Sequence, residues 1–145
     1  MTDDIMFFGE YRHNIDAKKR LALPSKIRDC MSETMVMVGS LFSPCIALYP
    51  MDQWKIFWSK IDKLRETEKA VVRRAVFSRL CKTSCDSQGR ILIPQNLCEY
   101  AHIDKNVVIV GADTYVEIWD ADRWDQNRVG DESLSLSELL EKAGF

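Results

Sequence analysis

The sequence predicts an α+β, β-rich fold: two copies of a small β-α-β module about a pseudo-twofold axis, with a helical insertion between them. Three observations predict it. The stretch Asp16-Ala17-Lys18-Lys19-Arg20-Leu21-Ala22-Leu23-Pro24 is answered 70 residues later by Asp86-Ser87-Gln88-Gly89-Arg90-Ile91-Leu92-Ile93-Pro94. Each reads Asp, three residues, Arg, three apolar residues, Pro, and a short helical run follows. The echo continues downstream, where Val36-Met37-Val38-Gly39 is matched by Val108-Ile109-Val110-Gly111 at a spacing of 72, and Trp54 by Trp124 at 70. A short indel therefore precedes that strand and a second one reverses it. Third, Trp54, Phe57, Trp58 and Ile61 recur at helical spacing between the copies. Two copies are too few for a solenoid, which needs about three. The predicted organisation is module 1 over 10–53, the insertion over 54–80, module 2 over 81–124, and a linker with a short terminal helix over 125–145.

Taken in order, Phe7 to Ile15 alternates as a strand, with Phe7, Gly9, Tyr11, His13 and Ile15 on one face. Asp16 to Lys19 is a turn, because an Asp side chain accepts from backbone N–H groups a residue or two ahead. Gly89 supplies a positive φ in the second turn at little cost. Lys19 stands at that place in the first, where a side chain costs about 1 kcal/mol. Arg20 to Leu23 is a second strand, and Pro24 opens a short helix. Met35–Gly39 and Cys45–Tyr49 are further strands. After the helix at Trp54, Ala70, Val71, Ala75, Val76 and Leu80 form the apolar side of a second helical run, with Lys69, Arg73, Arg74 and Arg79 on its basic side. The second copy repeats the scheme, with a helix over Pro94–Ala101. Val129 to Glu132 is a linker. Ser135-Leu136-Ser137-Glu138 has a capping-box pattern, followed by Leu139, Leu140 and Ala143 on one edge of a terminal helix.

At 145 residues and 46% hydrophobic content the chain is long enough for one domain with a real core. No apolar run approaches the roughly 18 residues of a membrane span. Met1-Thr2-Asp3-Asp4 lacks the basic and apolar regions of a signal peptide, so a cytoplasmic protein is expected. Charge is unevenly spread: the net is −2 overall, +4 over Glu10–Arg28, +6 over Lys55–Lys82 and −6 from Asp113 onward. A basic face of this kind suits an anionic partner, although solvated helix faces give the same count. The five cysteines are odd in number, which argues against a disulfide framework. On a strand Cys81 and Cys85 would lie ~13 Å apart, too far to share an ion, and His13 and His102 have no ligand cluster. No metal and no cofactor is expected.

The repeated turns offer Asp16 and Arg20, and Asp86 and Arg90. No nucleophile–base pair, P-loop or zinc-protease motif accompanies them, so a non-enzymatic role is expected. An Arg anchored by a turn Asp has a planar fork suited to phosphate or to the O6/N7 edge of guanine. Lys18, Lys19, Arg12, Lys26 and Arg28 stand near it in sequence. The same pair is equally read as an exposed salt bridge worth ~0–1 kcal/mol.

These turns, with Arg90-Ile91-Leu92-Ile93-Pro94, Val108-Ile109-Val110-Gly111 and Glu117-Ile118-Trp119-Asp120, resemble the MraZ family. The resemblance runs from Met6-Phe7-Phe8-Gly9-Glu10-Tyr11 to about Trp124, leaving the tail after Arg128 outside. It implies two swapped-hairpin modules of the SpoVT/AbrB type in ring-shaped homo-oligomers. It also implies binding to double-stranded promoter DNA at short repeated boxes, with repression of the division and cell wall gene cluster and of the protein's own gene. A cytoplasmic, nucleoid-associated protein without a membrane partner follows. The family's binding motif carries over to Asp16 and Arg20 and to Asp86 and Arg90. Two positions depart from the family pattern: Phe8 replaces an Arg, and Lys19 replaces a Gly. The expected DNA-binding residues are Asp16, Lys18, Lys19, Arg20, Asp86 and Arg90. Arg20 and the two lysines contact DNA, Asp16 orients Arg20, and the second pair either repeats this or holds the module together. The first copy is favoured as the main contact for its extra lysines. The rival expectation is a protein-interaction or antitoxin-like AbrB module in which the turns are purely structural.

Overall fold

Strand pairing interleaves the two copies. The computed structural model describes residues 5–127 and 135–145. In chain order the elements are β1 (Glu10–Asn14), β2 (Arg20–Ala22), α1 (Ser25–Arg28), β3 (Met35–Gly39), β4 (Ile46–Pro50), α2 (Met51–Ser59), α3 (Glu66–Phe77), β5 (Leu80–Thr83), β6 (Arg90–Leu92), α4 (Gln95–Ala101), β7 (Asn106–Gly111), β8 (Val116–Asp120), α5 (Ala121–Asn127) and α6 (Leu136–Lys142). A six-stranded antiparallel sheet has the order β1-β7-β8-β4-β3-β5, and β2 and β6 form a separate two-stranded ribbon. The first strand of each copy thus joins the hairpin of the other: β1 pairs with β7, and β5 with β3. The predicted pseudo-twofold is visible in the register. Leu21 faces Ile91 across the ribbon and Ala47 faces Glu117 across the sheet. Both pairs join repeat equivalents, so both lie on the axis.

The two indels fall in connections. After α4 the second copy inserts a left-handed His102 (φ 56) that closes the helix before β7. The reversal lies in the hairpins, where 40–45 joins β3 to β4 but only 112–115 joins β7 to β8.

The sheet is buried on both faces at its centre, so β3 and β4 read as continuous apolar runs. Met35, Met37, Ile46 and Leu48 pack with Leu21, Ile91, Ile27 and Leu97 from the ribbon, α1 and α4. Val36, Val38 and Tyr49 pack on the opposite face with Trp54 of α2 and Val76 of α3. The repeated glycines mark where the exchanged chain crosses. Gly111 donates to the Gly9 carbonyl at 2.9 Å, and its equivalent Gly39 donates to the Arg79 carbonyl at 3.1 Å.

Several expected elements are shorter. Gly9 has φ 94, so the regular strand begins at Glu10, while Phe7 makes an isolated bridge to Asp113. Helix α2 stops at Ser59, and Ile61 sits on a 3-10 turn over Lys60–Lys63. On α3, Val76 is buried against the sheet as expected, and Val72 joins it in place of Val71, which is 60% exposed. Leu80 begins β5 instead of ending the helix. Ser135 is the N-cap of α6, but its side chain makes no capping bond, and Leu136, Leu139 and Leu140 are exposed. The expected linker at Val129–Glu132 lies outside the described residues.

Candidate nucleic-acid interface

The two Asp-x3-Arg turns have one geometry. Asp16 Oδ1 accepts from the backbone N–H of Lys18 at 2.9 Å and of Arg20 at 2.8 Å, while Oδ2 accepts from Arg20 Nε at 2.8 Å. Asp86 Oδ1 accepts from the N–H of Gln88 and of Arg90, each at 2.9 Å, and Oδ2 from Arg90 Nε at 2.9 Å. A backbone bond closes each turn, from Lys19 N–H to the Asp16 carbonyl and from Gly89 N–H to the Asp86 carbonyl, both 3.0 Å. This closure needs a left-handed residue, and Lys19 (φ 63) and Gly89 (φ 76) supply it as the sequence predicts. Of each guanidinium, only Nε is taken among the described residues. Among the described residues neither terminal nitrogen of either fork has a partner, which leaves both open to an external acceptor.

The accepted N–H groups, Arg20's backbone first for Asp16 and Arg90's first for Asp86, hold both carboxyls below the usual aspartate value, against a smaller desolvation effect. A carboxyl lowered by folding contributes stability above its unfolded pKa and loses that contribution as pH falls through its folded pKa. Stability is therefore expected to hold from neutrality to mild acid and then fall as pH drops below the ordinary aspartate range. In an Asp16→Asn, Asp86→Asn chain that part of the acid slope should be missing from urea titrations at successive pH values. An unchanged slope would show that the turns contribute nothing to it.

Each turn is tied to the opposite copy. Leu23 N–H donates to the Gly89 carbonyl at 3.0 Å, and Ile93 N–H to the Lys19 carbonyl at 2.8 Å. The Arg28 side chain covers the second turn: a Cβ built on Gly89 would meet its Nε at 2.9 Å, and that Nε donates to the Leu23 carbonyl at 3.0 Å. At the repeat equivalent of Arg28 stands Cys98, whose thiol is raised by burial, with the Lys19 charge acting the other way. The bulky side chain of each facing pair thus sits on α1 in one case and on the turn in the other. Arg28 of the first copy also brings one positive charge to the second turn, where Gln88 and Gly89 stand in place of Lys18 and Lys19. The advantage in charge that favours the first turn is narrowed by this contact.

Pairing across the ribbon fixes which side chains point out. Arg20 faces Leu92, Leu21 faces Ile91, and Ala22 faces Arg90. Leu21 and Ile91 are fully buried, so the alternating set Arg20, Ala22, Arg90 and Leu92 lies on the outer face. Arg20 and Arg90 are diagonal neighbours, roughly 7–8 Å apart at Cα. The apolar pair Ala22 and Leu92 was not among the expected site residues. Period-2 alternation about Leu21 and Ile91 was the signal that could have found it.

Lys18 is exposed beside Arg20, and Lys26 is exposed on α1. Arg12 is diverted: it lies on β1 and pairs with Asp125 of α5 at 2.7 Å and Glu10 at 3.3 Å. Phe8 is 59% exposed next to the chain crossing at Gly111. Cys81 and Cys85 pack against the main core, where burial raises both thiols. Among the described residues no group of three or more His, Cys, Asp or Glu is placed to hold a metal ion. No helix of the described residues is long and apolar enough to cross a membrane.

Lys19→Gly tests the strain in the first turn, where Lys19 has φ 63. It relieves a left-handed side chain worth about 1 kcal/mol at some cost in unfolded-state entropy. The variant should melt at or slightly above the wild-type temperature in a CD scan. Destabilisation would mean that the Lys19 stem packs usefully on its neighbours.

Two consecutive stretches, 6–75 and 76–143, match the family described as "MraZ protein, putative antitoxin-like". The second match takes in the tail that the sequence reading left outside the resemblance. A protein of Clostridium tetani named transcriptional regulator MraZ is 39% identical over 139 residues, covering 94% of this chain and 96% of that one. One of Acetivibrio thermocellus with the same name is 40% identical at the same coverage, and one of Herpetosiphon aurantiacus is 37% identical over 97% of this chain and all of its own. With the repeated Asp-x3-Arg turns at matching positions in two interleaved copies, the chain belongs to the MraZ family.

Proposed function

We propose that this chain is a transcriptional regulator that binds double-stranded DNA through the β2–β6 ribbon. The observation that carries this reading is the shared Asp–Arg geometry. Of each guanidinium the aspartate takes only Nε, and so orients a fork whose two Nη atoms can bind one acceptor pair, on guanine O6/N7 or on a phosphate. A two-stranded ribbon fits the major groove in width. Lys18, Lys19, Lys26 and Arg28 flank it as phosphate contacts. The relatives' name supports the same reading. Each copy, over 10–53 and 81–124, serves as one half of the reader, with the helices between them on the far face of the sheet. Assembly into a homo-oligomeric ring sets several ribbons over several promoter boxes, and effective concentration turns weak single contacts into tight binding. The resulting activity is repression of the protein's own gene and of the division and cell wall gene cluster, at the nucleoid and without catalysis.

The test is fluorescence anisotropy of wild type and Arg20→Ala on a duplex from the region upstream of the protein's own gene and on a scrambled duplex, at two salt concentrations. The expected result is preferential binding that weakens steeply with salt and falls roughly 5- to 150-fold in a still-folded Arg20→Ala. Equal weak binding to both duplexes, unchanged by the substitution, overturns the reading and leaves the turns structural.

A further inference from the structure

The outer face of the ribbon carries a residue that neither the turn motif nor the positive charge accounts for. Leu92 is 57% exposed, while Ile91 beside it on the same strand is fully buried. A lone exposed leucine needs no explanation, but the placement of this one sets it apart. It stands directly across from Arg20 and two residues along the strand from Arg90, between the two anchored forks. The core gains nothing from a large apolar side chain on this side. Its repeat equivalent across the pseudo-twofold is Ala22, which faces Arg90. The two halves of the reading face therefore match in their arginines and differ in the apolar residue between them.

We infer that Leu92 is a specificity-determining residue that packs on the C5 methyl group of a thymine, beside the groups taken by Arg20 and Arg90. The inference rests on the DNA reading above. On the major-groove edge of the bases the thymine methyl is the apolar group, whereas the acceptors and donors suit polar side chains. An isobutyl group held on a β-strand between two guanidinium forks meets such a methyl and excludes water from it. The smaller Ala22 reaches less far. The ribbon consequently distinguishes its two halves and binds a non-palindromic site in one orientation, although its backbone is nearly twofold.

Replacing one thymine at a time by uracil removes only that methyl and leaves base pairing intact. On the upstream duplex, one or two such replacements should weaken wild-type binding roughly fourfold, as expected for one buried methyl-sized group. The same replacements should leave Leu92→Ala unaffected. Leu92→Ala should melt with the wild type, since the side chain it trims is exposed. Salt-dependent wild-type binding that ignores every uracil, or a uracil effect that persists in Leu92→Ala, overturns this inference alone. A wild-type chain that binds no duplex overturns the DNA reading together with it.

Discussion

A Gly111→Ala chain is expected to lose about 3 kcal/mol of stability and to melt about 10 °C lower. The reason is the chain crossing. A Cβ on Gly111 would lie 2.2 Å from the backbone nitrogen of Phe8 and 2.6 Å from the carbonyl carbon of Phe7. Backbone cannot swing aside as a side chain can. The segment entering β1 would have to move away, and the 2.9 Å bond from Gly111 to Gly9 and the bridge between Phe7 and Asp113 would go with it. Gly39→Ala is the informative partner. There the added atom meets the Tyr100 ring at 2.8 Å, and a ring can tilt at the expense of its hydroxyl bond to the Ser40 carbonyl. The cost should be smaller. Thermal melts of the two variants compare them directly, and a wild-type melting temperature for Gly111→Ala would refute the crossing argument.

The double variant Arg20→Ala, Arg90→Ala is expected to abolish sequence-specific binding while the chain stays folded. One bidentate arginine contact accounts for about 1–3 kcal/mol of discrimination, roughly 5- to 150-fold in affinity. The two forks have separate aspartate partners and lie roughly 7–8 Å apart, so their losses should nearly multiply. The single variants should be similar in effect, because the two Asp–Arg pairs share one geometry and Arg28 brings to the second turn part of the charge that Lys18 and Lys19 add to the first. An Arg90→Ala chain that binds like wild type while Arg20→Ala fails would restore the first turn as the dominant contact. Arg20→Lys keeps the charge and loses the fork. It should retain salt-dependent binding and lose the preference for the upstream duplex over the scrambled one. Anisotropy titrations on both duplexes, with CD spectra as the check on folding, read all four outcomes.

The sequence by itself determined what is local. The Asp-x3-Arg spacing specifies the turn, because the aspartate bonds within four residues of itself. Positive φ at Gly89 and Lys19, a helix after each Pro, and alternation along each strand are likewise set by neighbours in the chain. The repeat specified two equivalent halves. What only the tertiary structure decided is which strand meets which. Nothing near Glu10 encodes that β1 lies on β7, about a hundred residues away, in preference to the hairpin of its own copy. That choice comes from burying two apolar faces at once, a property of the assembled sheet. The exchange explains Gly39 and Gly111, carries Arg28 to the second turn, and draws Arg12 off to Asp125. It also aligns Arg20, Ala22, Arg90 and Leu92 on one face, since a reading surface built from two strands 70 residues apart exists only once those strands are paired.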